Sequence, residues 1–359
     1  MTLMPIEHIP DWEQRIARLD ACWNREIIDR PVVCINLPKA NSQHPYPAKK
    51  EWPTWRDRWL DIDYIVEYTL ARVANTAYLG DALPQAWPNL GPDIFATLYG
   101  CDLEFSERTS WSTPILDDLA AAERLPYSTD GFFWQKIQEM TDALLAAGKG
   151  RFYVGLTDLH VGGDCLAALR GPENLAIDLI ERPEDVKRAL DRITADYLEL
   201  FARYHAKLAR AGQACTTWLG WPSTRKWYVP SNDFSCMVSP AMFNEFFLPG
   251  ITTECERMEA SIYHLDGPNA LQHLDALLQI PTLNAIQWVW GAGHGRAGDW
   301  IPIFQRCQAA GKGIWLPIHV DELELCLENL RPAGVNLHIN GIKEIEHAEA
   351  VIKRVAAWR

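Results

Sequence analysis

Two polar residues interrupt an apolar run in the segment SIYHLDGPNALQHLDALLQI, residues 261–280: His264 and Asp266. They stand two positions apart, so on a β-strand both side chains lie on the same face. An imidazole and a carboxylate so placed can bind a divalent metal or act as an acid/base couple. Asp266 also precedes Gly267-Pro268, where acids commonly cap a helix, so a helix cap is the structural alternative.

Two other segments become polar in the same way towards their carboxyl ends. In GVNLHIN, residues 334–340, His338 and Asn340 alternate with apolar residues. In RFYVGLTDLH, residues 151–160, Asp158 and His160 continue the face of Phe152, Val154 and Leu156. The carboxyl ends of parallel strands meet at one edge of a sheet. The three segments therefore predict one shared site at that edge.

From about residue 150 the chain alternates strand-like and helical segments. The six predicted strands are RFYVGLTDLH, QACTTWLGW, ASIYHLD, LNAIQWVWG, KGIWLPIHV and GVNLHIN. This alternation predicts a parallel sheet. With one or two further strands before residue 150, such as that at 31–37, the expected fold is α/β, a (β/α)8 TIM barrel with an N-terminal helical extension. A doubly wound open sheet is the alternative, although no GxGxxG follows the first strand. We expect a single domain over residues 1–359, with residues 1–30 forming the N-terminal helical segment.

Composition limits the function classes. The 359 residues carry a formal net charge of −13 without a lysine or arginine cluster, which argues against nucleic acid or an anionic membrane as a partner. No apolar stretch approaches the roughly 20 residues of a membrane span, and the N-terminus lacks the pattern of a signal peptide. Nine cysteines occur without a CxxC pair, which favours reduced thiols. We therefore expect a cytoplasmic protein that acts on a small molecule.

Two longer segments resemble the uroporphyrinogen decarboxylase superfamily, which also includes zinc- and corrinoid-linked methyltransferases. They are GDCLAALRGPENLAIDLIERPEDVKRAL, residues 163–190, and NDFSCMVSPAMFNEFFLPGI, residues 232–251. The resemblance extends over about residues 150–358 and implies a (β/α)8 barrel. In the decarboxylase, an arginine-bearing loop near the N-terminus holds the propionates of the tetrapyrrole. Here the corresponding loop, LPKANSQHPYP, contains no arginine. That departure favours the methyltransferase branch over a true uroporphyrinogen decarboxylase.

The resemblance also implies a metal site. His264 matches the histidine ligand of the methyltransferase branch, whereas Asp266 and Asn340 replace its two cysteines and His338 lies two residues before the second. Zinc accepts nitrogen and oxygen ligands as well as sulfur. The predicted ligands of zinc, or of another divalent metal, are therefore His264, Asp266 and His338. A metal-free acid/base couple of His264 and Asp266 is the alternative.

Replacing thiolates by imidazoles and a carboxylate leaves a harder, net positive Lewis acid that suits polarisation of oxygen. The predicted activity is transfer of a methyl group from a small, oxygen-linked donor to the cobalt of a corrinoid (cobalamin) on a partner protein. The alternatives are a decarboxylase or other lyase that acts on a small acid without corrinoid, and a non-catalytic subunit that binds corrinoid or another small molecule.

Further residues complete the prediction. Asp233 aligns with an acidic residue of the family and is predicted to be catalytic with His264 and Asp266; a helix cap is less suited to it because Ser239 fills that role. Asp164 is expected to pair with Arg170. The predicted substrate-binding residues are Asp158, His160, Tyr228, His319 and Asn340, with Tyr228 and Trp227 forming an aromatic wall.

Overall fold

The computed structural model describes residues 2–40 and 44–359. The polar loop predicted after the first strand includes residues 41–43, which lie outside the described residues. The described strands are β1 (Val32–Pro38), β2 (Thr76–Gly80), β3 (Gln85–Ala86), β4 (Leu103–Phe105), β5 (Ser110–Ser112), β6 (Tyr153–Val154), β7 (Trp227–Tyr228), β8 (Ala260–Asp266), β9 (Ala285–Val289), β10 (Gly313–His319) and β11 (Val335–Asn340).

The described α-helices are α1 (Trp12–Trp23), α2 (Trp55–Leu60), α3 (Ile62–Ala74), α4 (Phe132–Gly148), α5 (Gly162–Arg170), α6 (Pro172–Glu181), α7 (Pro183–Arg210), α8 (Pro240–Met242), α9 (Leu248–Glu256), α10 (Leu274–Leu278), α11 (Ile301–Ala309), α12 (Leu323–Asn329) and α13 (Ile345–Ala356). Short 3₁₀ segments precede several of them. None of these helices is both long and apolar enough to cross a membrane.

The long helix α7 shows how sequence defines these elements. Proline occupies its first position, where the missing N–H costs nothing, and Glu184 and Asp185 follow in the first turn. Lys207 and Arg210 lie in the last turn, so charges at both ends oppose the helix dipole. Its buried residues recur at helical spacing and face the core.

A seven-stranded sheet positions the polar strand ends. Its order is β2–β1–β11–β10–β9–β8–β7, and every neighbouring pair is parallel except β1 with β2. The carboxyl ends of β8 to β11 therefore lie along one edge. The predicted α/β class with a parallel sheet is confirmed.

The remaining strands flank this sheet. β3 pairs with β6 in parallel, and the Gly155 N–H extends that pairing to the carbonyl of Ala86 at 2.8 Å. The Leu156 N–H donates to the carbonyl of Thr216 at 2.9 Å. The predicted strand QACTTWLGW is reduced to an isolated bridge between Cys215 and Ser223, because the chain turns at residues 218–219. The antiparallel pair β4–β5 was not predicted.

Candidate active site

Two groups of potential ligands meet at Asp233. Within the described residues, the side chains of His160, Asp164 and Asp233 offer ligand atoms within 4.8 Å of one another, and so do those of Asp233, His264 and Asp266. The carboxylate of Asp233 is common to both groups. Sequence analysis predicted a role for all of these residues except Asp164, for which it predicted only an ion pair with Arg170.

The strand pair β8–β9 orients His264. Its register sets His264 opposite the buried Gln287, whose side-chain oxygen lies 2.7 Å from Nδ1. With that oxygen as acceptor, Nδ1 carries the proton and Nε2 keeps its lone pair. Nε2 lies 3.9 Å from Oδ1 of Asp233, and the indole of Trp218 packs edge-on against the imidazole. His264 is thus prepared to act as a ligand or a base through Nε2.

The segment before Asp233 is fixed beside β8. Ser231 forms a parallel bridge with His264, and the carbonyl of Pro230 accepts the backbone N–H of His264 at 3.0 Å. Asp233 then begins a 3₁₀ segment, Asp233–Met237. Its Oδ1 atom is buried and has no hydrogen-bond partner among the described residues. A buried carboxylate oxygen without a partner is costly, and a bound cation would satisfy it.

Asp266 is the last residue of β8. The 3₁₀ segment that follows, Pro268–His273, begins after Gly267, and no side chain caps it. The helix-cap alternative for Asp266 is therefore wrong. Burial and the nearby carboxylate of Asp233 raise the pKa of Asp266, while His264 opposes that shift. Two carboxylates at this spacing repel each other until a cation or proton lies between them.

His160 faces three carboxylates without a close hydrogen bond to any of them. Its Nε2 lies 3.6 Å from Asp158, and its Nδ1 lies 3.6 Å from Asp164 and 3.8 Å from Asp233. Burial opposes protonation of the ring, but the three carboxylates outweigh it and raise the pKa of His160 to about 9. The imidazole is therefore protonated at neutral pH when no cation replaces its proton.

Asp164 lies in the first turn of α5 and is 8% exposed. Its Oδ1 accepts the backbone N–H of Phe234 at 2.9 Å, which ties α5 to the segment bearing Asp233. Burial and Asp233 raise the pKa of Asp164 to about 6. The predicted pair with Arg170 is wrong, because Arg170 instead donates to Asp178 at 2.6 Å. The sequence suggested Arg170, six residues further along the chain, as the partner of Asp164. In the structure, the side chain of Asp164 is buried and contacts the backbone of Phe234 instead.

A cavity of about 360 Å³ opens beside these residues. Its lining includes His160, Asp164 and Asp233, together with Asp93 and Trp111 from segments before residue 150. Sequence analysis missed Asp93 and Trp111 as site residues, because neither stands at a predicted strand end. The Gly91-Pro92 pair before Asp93 was the only local signal of a turn there.

His338 belongs to neither ligand group of the described residues. The ring packs 4.8 Å from that of Trp315, and its buried Nε2 finds no hydrogen-bond partner in the described part of the chain. Burial lowers the pKa of His338 to about 4, so the ring is neutral at physiological pH. A neutral imidazole can ligate a metal, but the structure does not bring this one together with His264 and Asp266.

The other predicted substrate-binding residues lie apart from Asp233. Tyr228 is buried and donates its hydroxyl to the carbonyl of Thr157 at 2.8 Å, and Trp227 is likewise buried. His319 is half exposed with Nδ1 2.7 Å from Asp321, and Asn340 pairs with it across β10 and β11. The structure therefore provides no open aromatic wall at Tyr228 and Trp227.

Comparisons with known proteins address the fold. No protein-family model matches the chain, and no curated protein matches its sequence. Among solved structures, the chain is similar to a methyltransferase from Methanosarcina mazei, with a TM-score of 0.60 and 14% sequence identity. The match covers 95% of this chain and 98% of that one. At this identity the likeness supports the α/β fold.

Proposed function

We propose that the protein is a methyltransferase-like enzyme on the methyltransferase side of the uroporphyrinogen decarboxylase superfamily. It would move a methyl group from a small, oxygen-linked donor to a corrinoid on a partner protein. The observation that carries the proposal is the group of Asp233, His264 and Asp266 at the strand ends of a fold similar to that of a methyltransferase. Active sites of barrel enzymes lie at this end of the strands.

The proposal includes closure of the sheet into a (β/α)8 barrel within one domain. The bonds from Gly155 to Ala86 and from Leu156 to Thr216 support it, because they set residues 85–86, 153–156 and 216 side by side. Together with β8 to β11 and β1, these segments supply eight strand positions. Closure would surround the ligand group with loops from several strands.

We assign a divalent cation, zinc being the first candidate, to Asp233, His264 and Asp266. The residues fit it on two grounds: Oδ1 of Asp233 lacks a partner among the described residues, and Gln287 leaves Nε2 of His264 free. When bound, the cation would supply a Lewis acid that polarises the oxygen of the methyl donor. His338, the third ligand predicted from sequence, is not part of this group, and its own variant tests whether it binds the cation.

The chain's own residues supply orientation and a proton. Gln287 fixes the tautomer of His264 from the side away from Asp233. The protonated His160 carries an N–H at Nδ1, 3.8 Å from Asp233, where it can donate to a leaving oxygen bound beside that carboxylate. Asp158 and Asp164 keep the proton on His160. These residues would thus protonate the demethylated product.

Metal content tests the assignment. The protein is purified without chelator, and metal per chain is measured by mass spectrometry for the wild type and for Asp233→Asn, His264→Ala, Asp266→Ala and His338→Ala. We expect near-stoichiometric metal in the wild type and its loss in the first three variants. His319→Ala is the matched control, because His319 also ends a strand but lies outside both ligand groups.

Each result has a defined meaning. Loss of metal in His338→Ala would restore the ligand set predicted from sequence. A wild type without metal would remove the cation from the proposal and favour the lyase alternative. Spectroscopic detection of methylcobalamin formed from cob(I)alamin, with methanol or a methoxylated compound as donor, then tests methyl transfer itself.

A further inference from the structure

A second pocket, of about 310 Å³, is walled mainly by aromatic rings. The rings belong to Trp59, Tyr64, Tyr68 and Trp87, and Arg58 lines the edge. The volume is at the lower end of the range for small-molecule sites. Neither the ligand groups around Asp233 nor the proposed methyl transfer accounts for this pocket.

Three separate elements build the pocket. The end of α2 contributes Arg58 and Trp59, and the next helix, α3, contributes Tyr64 and Tyr68. The two tyrosines are four residues apart, so they share one face of α3. Trp87 follows β3 directly. Convergence of aromatic residues from two helices and a strand end is a feature of the tertiary fold, not of one local sequence.

The rings are held in place but remain accessible. The indole N–H of Trp59 donates to the carbonyl of Ser106 at 2.9 Å, and its ring packs against Phe105. The rings of Tyr64 and Tyr68 are inclined by 26° with centroids 6.2 Å apart. Tyr68 is 45% exposed among the described residues. An exposed, oriented set of aromatic faces offers stacking to a flat ligand.

Arg58 adds a charge to the rim. Its guanidinium donates to the carbonyl of Glu107 at 3.1 Å and stands over the ring of Trp55. In the described part of the chain, no carboxylate forms an ion pair with it. An unpaired guanidinium at the edge of an aromatic pocket suits an anionic group on the ligand, since it can bind a carboxylate through two parallel N–H bonds.

The chain connects the pocket with the cavity beside Asp233. Gln85, two residues before Trp87, contacts Thr216 and Thr217, and a Cβ at Gly220 would lie near both Gln85 and His338. The loop that starts at Trp87 then reaches the cavity beside His160 through Pro92 and Asp93. One loop thus borders both the aromatic pocket and the cavity at the ligand groups.

We propose that this pocket binds the flat ring of an aromatic carboxylate and thereby selects methoxylated aromatic acids as methyl donors. The ring stacks among Trp59, Tyr68 and Trp87, and the carboxylate pairs with Arg58. The ring-binding site stands on its own observations, whereas the assignment of the ligand as a methyl donor rests on the proposed function.

Calorimetric titration tests the binding site. The probe is 4-methoxybenzoate, and trans-4-methoxycyclohexanecarboxylate is the matched non-aromatic ligand. We expect the wild type to bind the aromatic probe more tightly. Trp87→Leu and Tyr68→Leu should each lower the affinity for 4-methoxybenzoate by between about twofold and about tenfold, the range of one aromatic contact. Arg58→Met should lower the affinity for 4-methoxybenzoate but not the affinity for anisole, which has no carboxylate.

Phe132→Leu is the control variant, because Phe132 is a half-exposed aromatic residue outside the pocket. Far-ultraviolet circular dichroism verifies the fold of each variant. Equal affinity for the two ring systems, absence of binding to the wild type, or unchanged affinity in both Trp87→Leu and Tyr68→Leu would overturn the proposal.

The same titration with His264→Ala separates this proposal from the proposed function. His264→Ala should still bind 4-methoxybenzoate, because His264 does not line the aromatic pocket. That result would support the pocket even if the wild type transferred no methyl group. Conversely, methyl transfer from methanol without any binding of the aromatic probe would leave the proposed function standing and refute the pocket. When both occur, Trp87→Leu should raise KM for the aromatic donor, and Phe132→Leu should leave that KM unchanged.

Discussion

Two aspartates in this molecule are surrounded by basic side chains in different ways, arginines at one and histidines at the other. One cluster surrounds Asp81, which is fully buried between β2 and β3, and the other surrounds Asp233 at the carboxyl ends of the strands. Both combine an aspartate with cationic or protonatable neighbours. The distances between the charged atoms distinguish them.

Every acceptor in the first cluster is satisfied. Arg30 binds both oxygens of Asp81, at 2.5 Å and 2.9 Å, and Arg18 binds Oδ1 at 3.2 Å. The backbone N–H of Val33 adds a bond to Oδ2 at 3.0 Å. Such a network leaves no position for a ligand and holds α1, β1 and the end of β2 together.

The second cluster is not satisfied. The imidazoles of His160 and His264 lie 3.8 Å and 3.9 Å from the carboxylate of Asp233, beyond hydrogen-bonding distance. Oδ1 of Asp233 has no partner within the described residues. The comparison teaches that a structural ion pair and a ligand-ready group differ in the spacing of their charged atoms as well as in the cationic partner, arginine in one and histidine in the other.

The largest effect should follow Asp81→Asn. Removing the charge leaves two arginines facing a neutral amide in a buried position, which we expect to cost about 3–5 kcal/mol in the free energy of unfolding. Urea denaturation measures it. Asp321→Asn is the control, because Asp321 pairs with Arg296 on the surface, where solvent screens the pair, and its loss should be far smaller. Equal losses in the two variants would show that the Asp81 network is not a structural support.

The sequence predicts the parallel part of this fold well. Strand–helix alternation located β8 to β11, because each combines an apolar run with a helix of clear periodicity. It failed at residues 213–221, where apolar and β-branched residues favour a strand but the chain turns at residues 218–219, just before Gly220 with its positive φ. The sequence also predicted few elements before residue 150, because the short strands and 3₁₀ turns there show no sustained hydrophobic periodicity.

The site was predicted less completely. Period-two alternation found His264 and Asp266, because β8 defines which face each side chain takes. It also found His160, although β6 ends at Val154 and His160 lies in the segment without regular structure that follows. It could not show that Asp164 joins them, since that contact depends on how α5 packs against the segment at Phe234. It also placed His338 with His264, from a shared strand end and from the family resemblance, although the positions of two strand ends around a sheet are not encoded locally.

His160→Gln should have an intermediate effect, which appears as a change in how the stability of the fold depends on pH. Its pKa is raised to about 9 in the folded chain, so the protonated ring stabilises the fold fully below pH 6.5 and loses that contribution as pH rises through 9. In metal-free protein, the stability difference between wild type and His160→Gln should be up to about 3 kcal/mol near pH 6 and should shrink above pH 9. A difference that does not change with pH would mean that His160 is held as a neutral ring.

The smallest effect should follow Asp233→Asn, and it tests the comparison most directly. The side chain of Asp233 is 43% exposed, its Oδ1 has no partner among the described residues, and its charge repels Asp164 and Asp266. The substitution removes both the attraction to His160 and this repulsion, and the two effects should nearly cancel. The free energy of unfolding of metal-free Asp233→Asn, measured by urea denaturation, should therefore lie within about 1 kcal/mol of that of the wild type. A loss as large as that in Asp81→Asn would make Asp233 a structural residue. A small loss together with abolished metal binding would mean that Asp233 contributes to ligand binding and not to the stability of the fold.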